Sequence, residues 1–515
     1  MHTFWQSFTL QTLPLYQWRS SSYLYQLVGL LQAWRSGSWL LQQGDLIALG
    51  LLGVLFGLAP YVSTTLISVL LVACIGFWAL LTISDPREET GWGFTPIHLT
   101  LLLYWGISVI ATGLSPVRTA ALEGLAKLTL YLLTFVVMAR VLRIPRLRSW
   151  LIGIYLHTAL LVSCYGIRQW IFGAPPLATW SDPESEMGNF TRVYSFLGNP
   201  NLLSSYLIPA VAYSLMAIFV WRGKLPKALA AVMAIVNTLS LVFTFSRGGW
   251  IGLVLSLIVM GLLVGFWLNL YRKKWVLPAV LGGMVGFILL SVLFVPPVRS
   301  RVMSMFIGRG DSSNNFRLNV WTSVIEMIKA RPILGIGPGN DAFNKIYPLY
   351  SRSRFTALSA YSIPLEICVE TGLIGFSCFL WFLSVTFTQG IVQLRRLRDR
   401  LNTDGFWLIG AVGSMVGLLG QGLVDTVWYR PQVNMLWWLA VAIIASFYTA
   451  QPVATSEPTP TPTPDLTWDE IKPGQRAFAA SMFGDDLSLE GSQENASGDA
   501  RSLIPPDRPQ NPSAS

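Results

Sequence analysis

Several charged residues sit where an apolar chain is least hospitable to them. Glu366 and Glu370 lie i,i+4 on one face of a predicted helix, and two acids cannot neutralise each other, so the fold must supply a basic partner, a proton or a cation. Arg247 stands in Thr244-Phe245-Ser246-Arg247-Gly248-Gly249-Trp250, which joins two apolar stretches with almost no loop. Glycines beside an arginine let backbone N–H groups and a guanidinium approach one anion, a geometry that suits phosphate; the plainer reading is a tight turn with a snorkelling arginine. Glu123 and Lys127 are also i,i+4 and read as a self-neutralising pair, with one of them facing a cavity as the sharper alternative. Arg168, Asp425 and Arg430 stand at or just beyond span ends, and His157, inside a span, reads as a structural hydrogen-bonding group.

The elements that position these charges are membrane helices. The 515 residues are 53% hydrophobic and 12% charged, against about 25% charged for a soluble domain, which excludes disorder for most of the chain and a string of soluble domains. A bilayer core of about 30 Å needs about 20 apolar residues per helix. Twelve stretches are predicted to span: 41–59, 62–83, 97–114, 120–141, 150–172, 201–221, 227–245, 249–271, 275–295, 361–388, 405–424 and 432–449. The expected fold is all-α and polytopic.

Charge sets the orientation. The net +10 is not a nucleic-acid signature, because residues 451–515 carry −6 and leave +16 on the membrane part. With the N-terminus inside, the even-numbered connections hold 14 bases, among them Arg140, Arg143, Arg146, Arg148, Arg222, Lys224 and Lys227, while the short outer connections hold only Arg118, Arg192, Arg247 and Arg430. That asymmetry predicts an inner-membrane protein with both termini cytoplasmic and residues 296–360 as one large external loop. All the charges singled out above then face outward. Residues 1–40, interleaved with Trp5, Trp18, Trp34 and Trp39, read as an interfacial arm against membrane lipids. Residues 450–515, with the alternation Pro458, Pro460, Pro462, Pro464, read as a disordered cytoplasmic tail that could engage a partner. The four cysteines lie inside apolar runs without CxxC spacing, so neither a disulfide framework nor a metal site is expected, and no cofactor.

The loop itself is a folded element. Phe316, Val320, Val324, Ile325 and Ile328 follow helical spacing after a polar start at Asp311, and the helix is predicted to end at Arg331-Pro332. The following Gly335-Ile336-Gly337-Pro338-Gly339-Asn340 cannot be helix and reads as a tight turn, with presentation of N–H groups to an anion as the alternative. With Arg299, Arg301, Arg309, Arg317, Arg331, Arg352 and Arg354, the loop is a cationic cap, and an anionic ligand at the outer surface is the joint inference.

In this order and placement, Gly198-Asn199-Pro200-Asn201, Ser246-Arg247-Gly248, Arg317 with Trp321, Arg331-Pro332-Ile333-Leu334-Gly335-Ile336-Gly337, and Glu366 with Glu370-Thr371-Gly372-Leu373-Ile374-Gly375 resemble the O-antigen ligase and O-antigen polymerase superfamily. The segment 358–366, the Arg118/Glu123/Lys127 segment and the Pro-rich tail look like the cyanobacterial IctB-type proteins, labelled bicarbonate transporters. The superfamily resemblance implies transfer of a saccharide from an undecaprenyl-pyrophosphate carrier to a periplasmic acceptor, without nucleotide or metal. It implies that Arg247 and Arg317, with Arg331 and Arg168 nearby, neutralise the pyrophosphate, with Glu123, Lys127, Glu370, Asp425 and Arg430 in support. Where many members carry His-Asn as general base, this chain has Tyr361-Ser362, so Glu366 is expected to take the proton and Tyr361 to orient the acceptor. The subgroup resemblance implies instead handling of a small anion such as bicarbonate, by transport or by a catalytically silent role.

Overall fold

Wherever the computed structural model describes one of the long apolar stretches, that stretch is helical. The described residues are 2–449, apart from 12, 14–26, 86–93, 176–191, most of 270–295, most of 304–311, 352–354 and 427–428. After three short helices, His2–Phe8, Gln32–Gly37 and Trp39–Gln42, come α1 (Gly44–Leu58), α2 (Thr64–Ser84), α3 (Pro96–Gly113), α4 (Arg118–Val141), α5 (Pro145–Phe172), α6 (Pro200–Val220), α7 (Lys224–Phe243), α8 (Arg247–Trp267), α9 (Pro296–Met303), α10 (Ser312–Ala330), α11 (Asn340–Ile346), α12 (Ile363–Asp399), α13 (Gly405–Gly422) and α14 (Pro431–Ser446). Local chemistry sets their starts: the Ser63, Asn199 and Ser246 side chains cap α2, α6 and α8, and proline occupies the first turn of α3, α5, α6, α12 and α14.

Among the described residues nine helices, α2 to α8, α12 and α13, are long and apolar enough to cross a bilayer, which makes the chain an all-helical, multi-pass membrane protein. Nine of the twelve predicted spans coincide with these candidates, and two more, 41–59 and 432–449, fall on the shorter apolar helices α1 and α14. α1 and α14 have 15 and 16 residues: Asp45 in the first turn of α1 is paired with Arg140, Ala59-Pro60 follows its end, and α14 stops at Ser446. The predicted span 275–295 lies largely outside the described residues, as does the predicted disordered tail from residue 450. Two boundaries also shift. α5 begins at Pro145 and not at 150, because proline starts a helix as readily as an apolar residue continues one, and α12 extends 37 residues to Asp399.

The helix ends fall on two faces. One, called the loop face here, carries the described residues of 296–362 and of the connections 113–118, 243–247 and 422–431. On the opposite face Arg35 and Arg140 both bond Asp85, and Arg148 reaches Asp404 at 2.6 Å and stacks over Phe447 at 3.9 Å. The core centres on α6, α8 and α13. A Cβ on Gly252 of α8 would lie 2.4 Å from the Gly417 carbonyl, and one on Gly417 would lie 2.5 Å from Ile208 of α6. Small residues four apart, Gly248/Gly252 and Gly413/Gly417, thus let these helices meet backbone to backbone, the packing that drives association where lipid competes for apolar side chains. The consequence lies at the loop-face end, where the N-termini of α6 and α8 are drawn against the C-terminus of α13. At the chain's start the helix His2–Phe8 exposes Phe4 and Trp5, and Trp381 of α12 donates its indole N–H to the Phe8 carbonyl at 2.8 Å.

Candidate functional site: arginines at three helix ends

Three helix ends build the floor of the site. Asn199 caps α6 by accepting from the Asn201 and Leu202 N–H groups at 2.8 and 3.3 Å, and Ser246 caps α8 by accepting from Gly249 at 3.2 Å. Gln421, near the end of α13, donates to the Asn201 carbonyl and the Ser204 hydroxyl, both at 3.0 Å. Two helix N-termini therefore point at one place, each contributing the positive end of its dipole.

Arginines crowd this floor. Arg247 opens α8 and is only 7% exposed. Arg192 donates Nε–H to the Thr244 carbonyl at 3.1 Å and Nη2–H to the Asn201 side chain at 3.3 Å. Arg301, from α9, donates Nε–H to the Phe245 carbonyl at 2.9 Å. Burial, then the like charges of Arg247 and Arg317, hold the Arg192 guanidinium down to about 10, and Asp425 opposes them. Asp425, just past α13, is buried; burial raises its carboxyl above the ordinary range, while Arg317, the Thr426 N–H at 2.8 Å, Asn201 and Arg192 pull it back. Tyr361 sits in the same field. Its backbone is left-handed (φ 51°), its ring meets Phe316 of α10 edge-on at 5.4 Å, and burial and Asp425 keep its phenol protonated against the pull of Arg317.

The two glutamates lie deeper. Glu366 and Glu370, 3% and 8% exposed, share one hydroxyl: Tyr429 lies 2.6 Å from Glu366 and 2.5 Å from Glu370. A phenol has a single hydrogen, which serves one carboxylate at a time. Glu366 also accepts the Ala360 N–H, next to Tyr361, and Glu370 accepts the Gly339 N–H. Both carboxylates thus tie the large loop to α12.

The rest of that tie is backbone. α12 breaks at Gly372 (φ 67°, ψ −172°), and the run 332–337 fills the break: Leu373 N–H donates to the Pro332 carbonyl at 2.8 Å, Ile336 N–H to Val369 at 2.9 Å and Gly337 N–H to Glu370 at 2.9 Å. Backbone groups freed inside a span are satisfied by protein, as an apolar solvent demands. This corrects the alternative reading of the glycine turn. Its N–H groups at 336, 337 and 339 are spent on α12 rather than presented to an anion, and Gly337 and Gly339 are glycine because Ala121 and Gly124 of α4 pass within 2.5 Å of any added Cβ.

The structure brings together Arg247, Arg317, Asp425, Tyr361 and Glu366, and joins Glu370 through Tyr429. It does not gather the others. Arg168 is exposed, lying over Tyr165 and Phe172, and exposed Arg331 reaches the Leu114 carbonyl at 3.4 Å. Lys127 pairs with Asp341 of the loop at 2.7 Å and not with Glu123, because α11 packs on α4 and places its acid closer; Glu123 and Arg430 are exposed. Arg309, Arg352 and Arg354 lie outside the described residues. His157 bonds the Gly153 carbonyl one turn back at 2.7 Å, as a structural histidine does. Arg192 and Tyr429 were missed. Nothing local marks them: Arg192 is a lone base in a short connection, and Tyr429 lies 59 residues beyond the glutamate it serves. The signal for Tyr429 was indirect, since two acids on one helical face require a partner.

Residues 229–380 match the family profile described as O-antigen ligase (Wzy_C). The match covers α8, α10 and the first half of α12, and so Arg247, Arg317, Tyr361 and both glutamates. No curated protein matches the chain.

Proposed function

We propose that this multi-pass membrane protein, whose residues 229–380 match the O-antigen ligase profile, transfers a saccharide from an undecaprenyl-pyrophosphate carrier to an acceptor hydroxyl at the periplasmic face of the inner membrane. The observation that carries this reading is the convergence on the loop face of Arg247 and Arg317, which with Tyr361 lie inside the matched region, beside Asp425, which lies beyond it.

In the proposed step the acceptor oxygen attacks the anomeric carbon while the bond from that carbon to the carrier diphosphate breaks. The electron pair leaves with the diphosphate, whose charge Arg247 and Arg317 neutralise in a partly buried site where such hydrogen bonds are strong. Tyr361 stands where many members carry histidine, and its protonated phenol orients the acceptor. The acceptor proton passes to a carboxylate. Asp425 is favoured over Glu366, since it faces the arginines with a raised affinity for a proton, whereas Glu366 has one oxygen on Tyr429 and the other on Ala360 N–H. Glu366 and Glu370 then hold the Tyr361 segment in place.

The basic residues of the opposite face support the orientation, because Arg140, Arg148, Arg222 and Lys224 mark a cytoplasmic side. A bicarbonate carrier would need the cluster to open toward that face, where Arg140 and Arg148 are instead closed onto Asp85 and Asp404.

The test compares surface and lipid-linked glycans in cells lacking the protein with cells restored by wild type or by Arg247→Ala. Accumulated lipid-linked saccharide that only wild type clears is the expected result. Unchanged glycans in every strain would contradict the reading and turn attention to bicarbonate uptake in liposomes.

A further inference from the structure

A groove of about 910 Å³ opens on the flank of the helix bundle, in the half opposite the loop face, and the proposed transfer makes no use of it. Its floor is α5 from Ser149 to Leu161, with Leu49 of α1 on one side and Trp221, just past α6, on the other. His157 holds that second side: its Nδ1–H donates to the Gly153 carbonyl at 2.7 Å, and its ring stacks on Trp221 at 6.4 Å. Gly153 leaves the floor open, since a Cβ added there would meet nothing within 4 Å.

The two ends of the groove differ. At the outer end, Arg146 lays its guanidinium over the Trp150 ring at 4.9 Å, and Arg222 follows Trp221 in sequence. Both arginines are exposed, and no acid pairs with either among the described residues, whereas Arg35, Arg140 and Arg148 of the same face are closed onto Asp85 and Asp404. Ser149 accepts the Trp407 indole N–H at 3.2 Å, and its own O–H is donated to no described residue. Deeper in, Ile154 and Leu161 make an apolar lining. From Trp150 to Leu161 is eleven residues, about 16 Å of helix, half of a hydrocarbon core of about 30 Å. Tryptophans gather at the level where lipid head groups begin. A ligand that fits this lining carries negative charge at the arginine end and hydrocarbon as long as one leaflet is thick.

We infer that the groove is a binding site for one anionic phospholipid of the leaflet on that face, its phosphate held by Arg146, Arg222 and the Ser149 hydroxyl and an acyl chain laid along α5 over Gly153. Basic groups beside an intramembrane cleft recognise a lipid head group, and the apolar wall retains the chain. The site lies on the face away from Arg247 and Arg317, so it stands whether or not the protein transfers a saccharide.

The experiment titrates the purified full-length protein in detergent with phosphatidylglycerol and, separately, with phosphatidylcholine of the same chains, and counts bound lipid by native mass spectrometry. Wild type should hold one phosphatidylglycerol at least about tenfold more tightly than phosphatidylcholine, as two arginines near a head group imply. The double variant Arg146→Gln/Arg222→Gln should lose that preference and bind the two lipids alike. Arg395→Gln, which removes an exposed base of the same face outside the groove, should keep it. Gly153→Phe should lose the bound lipid, because its ring takes the path of the chain. The open space around Gly153 leaves the fold intact, as an unchanged Tm in lipid-free detergent checks, and Gly153→Leu replaces the variant if that Tm falls. Retention of the lipid in Gly153→Phe, or of the preference in the double variant, would overturn the inference. So would equal affinity of wild type for both lipids, or a dimer, dissociated by Gly153→Phe, in which a second copy fills the groove.

Discussion

Leu373 donates its N–H to the carbonyl of Pro332 at 2.8 Å, across the break in α12. The large loop is therefore stitched into a membrane helix at the depth where that helix loses its own hydrogen bonds, and is not a separate domain resting on the bilayer. Arg317 on α10 and Tyr361 before α12 flank this stitch in sequence. Their positions relative to Arg247 depend on it.

Gly372→Ala should unfold this junction. Alanine would have to adopt φ 67° with its Cβ 2.1 Å from the Ile333 carbonyl. The backbone strain alone is of the order of 1–3 kcal/mol, and the contact with a carbonyl cannot relax as a side chain could. The expected result is a lowered Tm in detergent with new protease cleavage near 331–340. An unchanged Tm would show that the kink does not depend on glycine.

Tyr429→Phe should lower stability by about 1–3 kcal/mol, the cost of leaving a buried acceptor without its donor, because both Glu366 and Glu370 share that hydroxyl. Transfer should fall with it, since Glu366 holds Ala360 and so Tyr361. Thermal unfolding and glycan transfer measured on the same preparations check both. Full stability in the variant would mean that the glutamates find other donors.

The arginines should divide into two groups. Arg247→Ala and Arg317→Ala are expected to lose at least about a hundredfold in transfer, as when a charged donor is removed from a developing anion. Arg168→Ala and Arg331→Ala should stay within about threefold, since exposed groups away from the cluster contribute little. The Lys127–Asp341 pair, 60% and 39% exposed, falls in the second group, and Lys127→Ala should cost under about 1 kcal/mol. Equal losses across all of these would contradict the site boundaries drawn above.

The pH dependence follows from Asp425. Its carboxyl must be ionised to accept a proton, and burial raises its pKa above the ordinary value near 3.9, so transfer should fall as pH drops through a limb displaced upward from that value. In Asp425→Asn that limb should vanish, leaving a low rate without it. A limb that persists in Asp425→Asn and vanishes in Glu366→Gln would return the proton to Glu366.

Much of the fold was legible because apolar length is a strong signal: the windows 62–83, 97–114 and 201–221 become α2, α3 and α6 within a few residues. The loop helix was placed from its apolar spacing but begins at Ser312, since Ser312, Ser313, Asn314 and Asn315 form its first turn. Arg247, Arg317, Glu366 and Glu370 were found because charge in an apolar chain demands a reason. What stayed hidden were partners set by tertiary contact. Lys127 has an acid four residues away and one 214 residues away, and takes the distant one. The break at Gly372 was not read because its sequence, Glu370-Thr371-Gly372, is otherwise compatible with helix; only the docked 332–337 run makes it necessary.

The most direct measurement incubates the purified protein with lipid-linked saccharide from cells that lack it, in the presence of acceptor-bearing membranes, and follows release of the polyprenyl diphosphate. Wild type should release the carrier as the saccharide moves to the acceptor, and Arg247→Ala, equally folded, should not. Release at the wild-type rate by Arg247→Ala, or an intact donor after incubation with wild type, would contradict the assignment of the arginine cluster to the diphosphate.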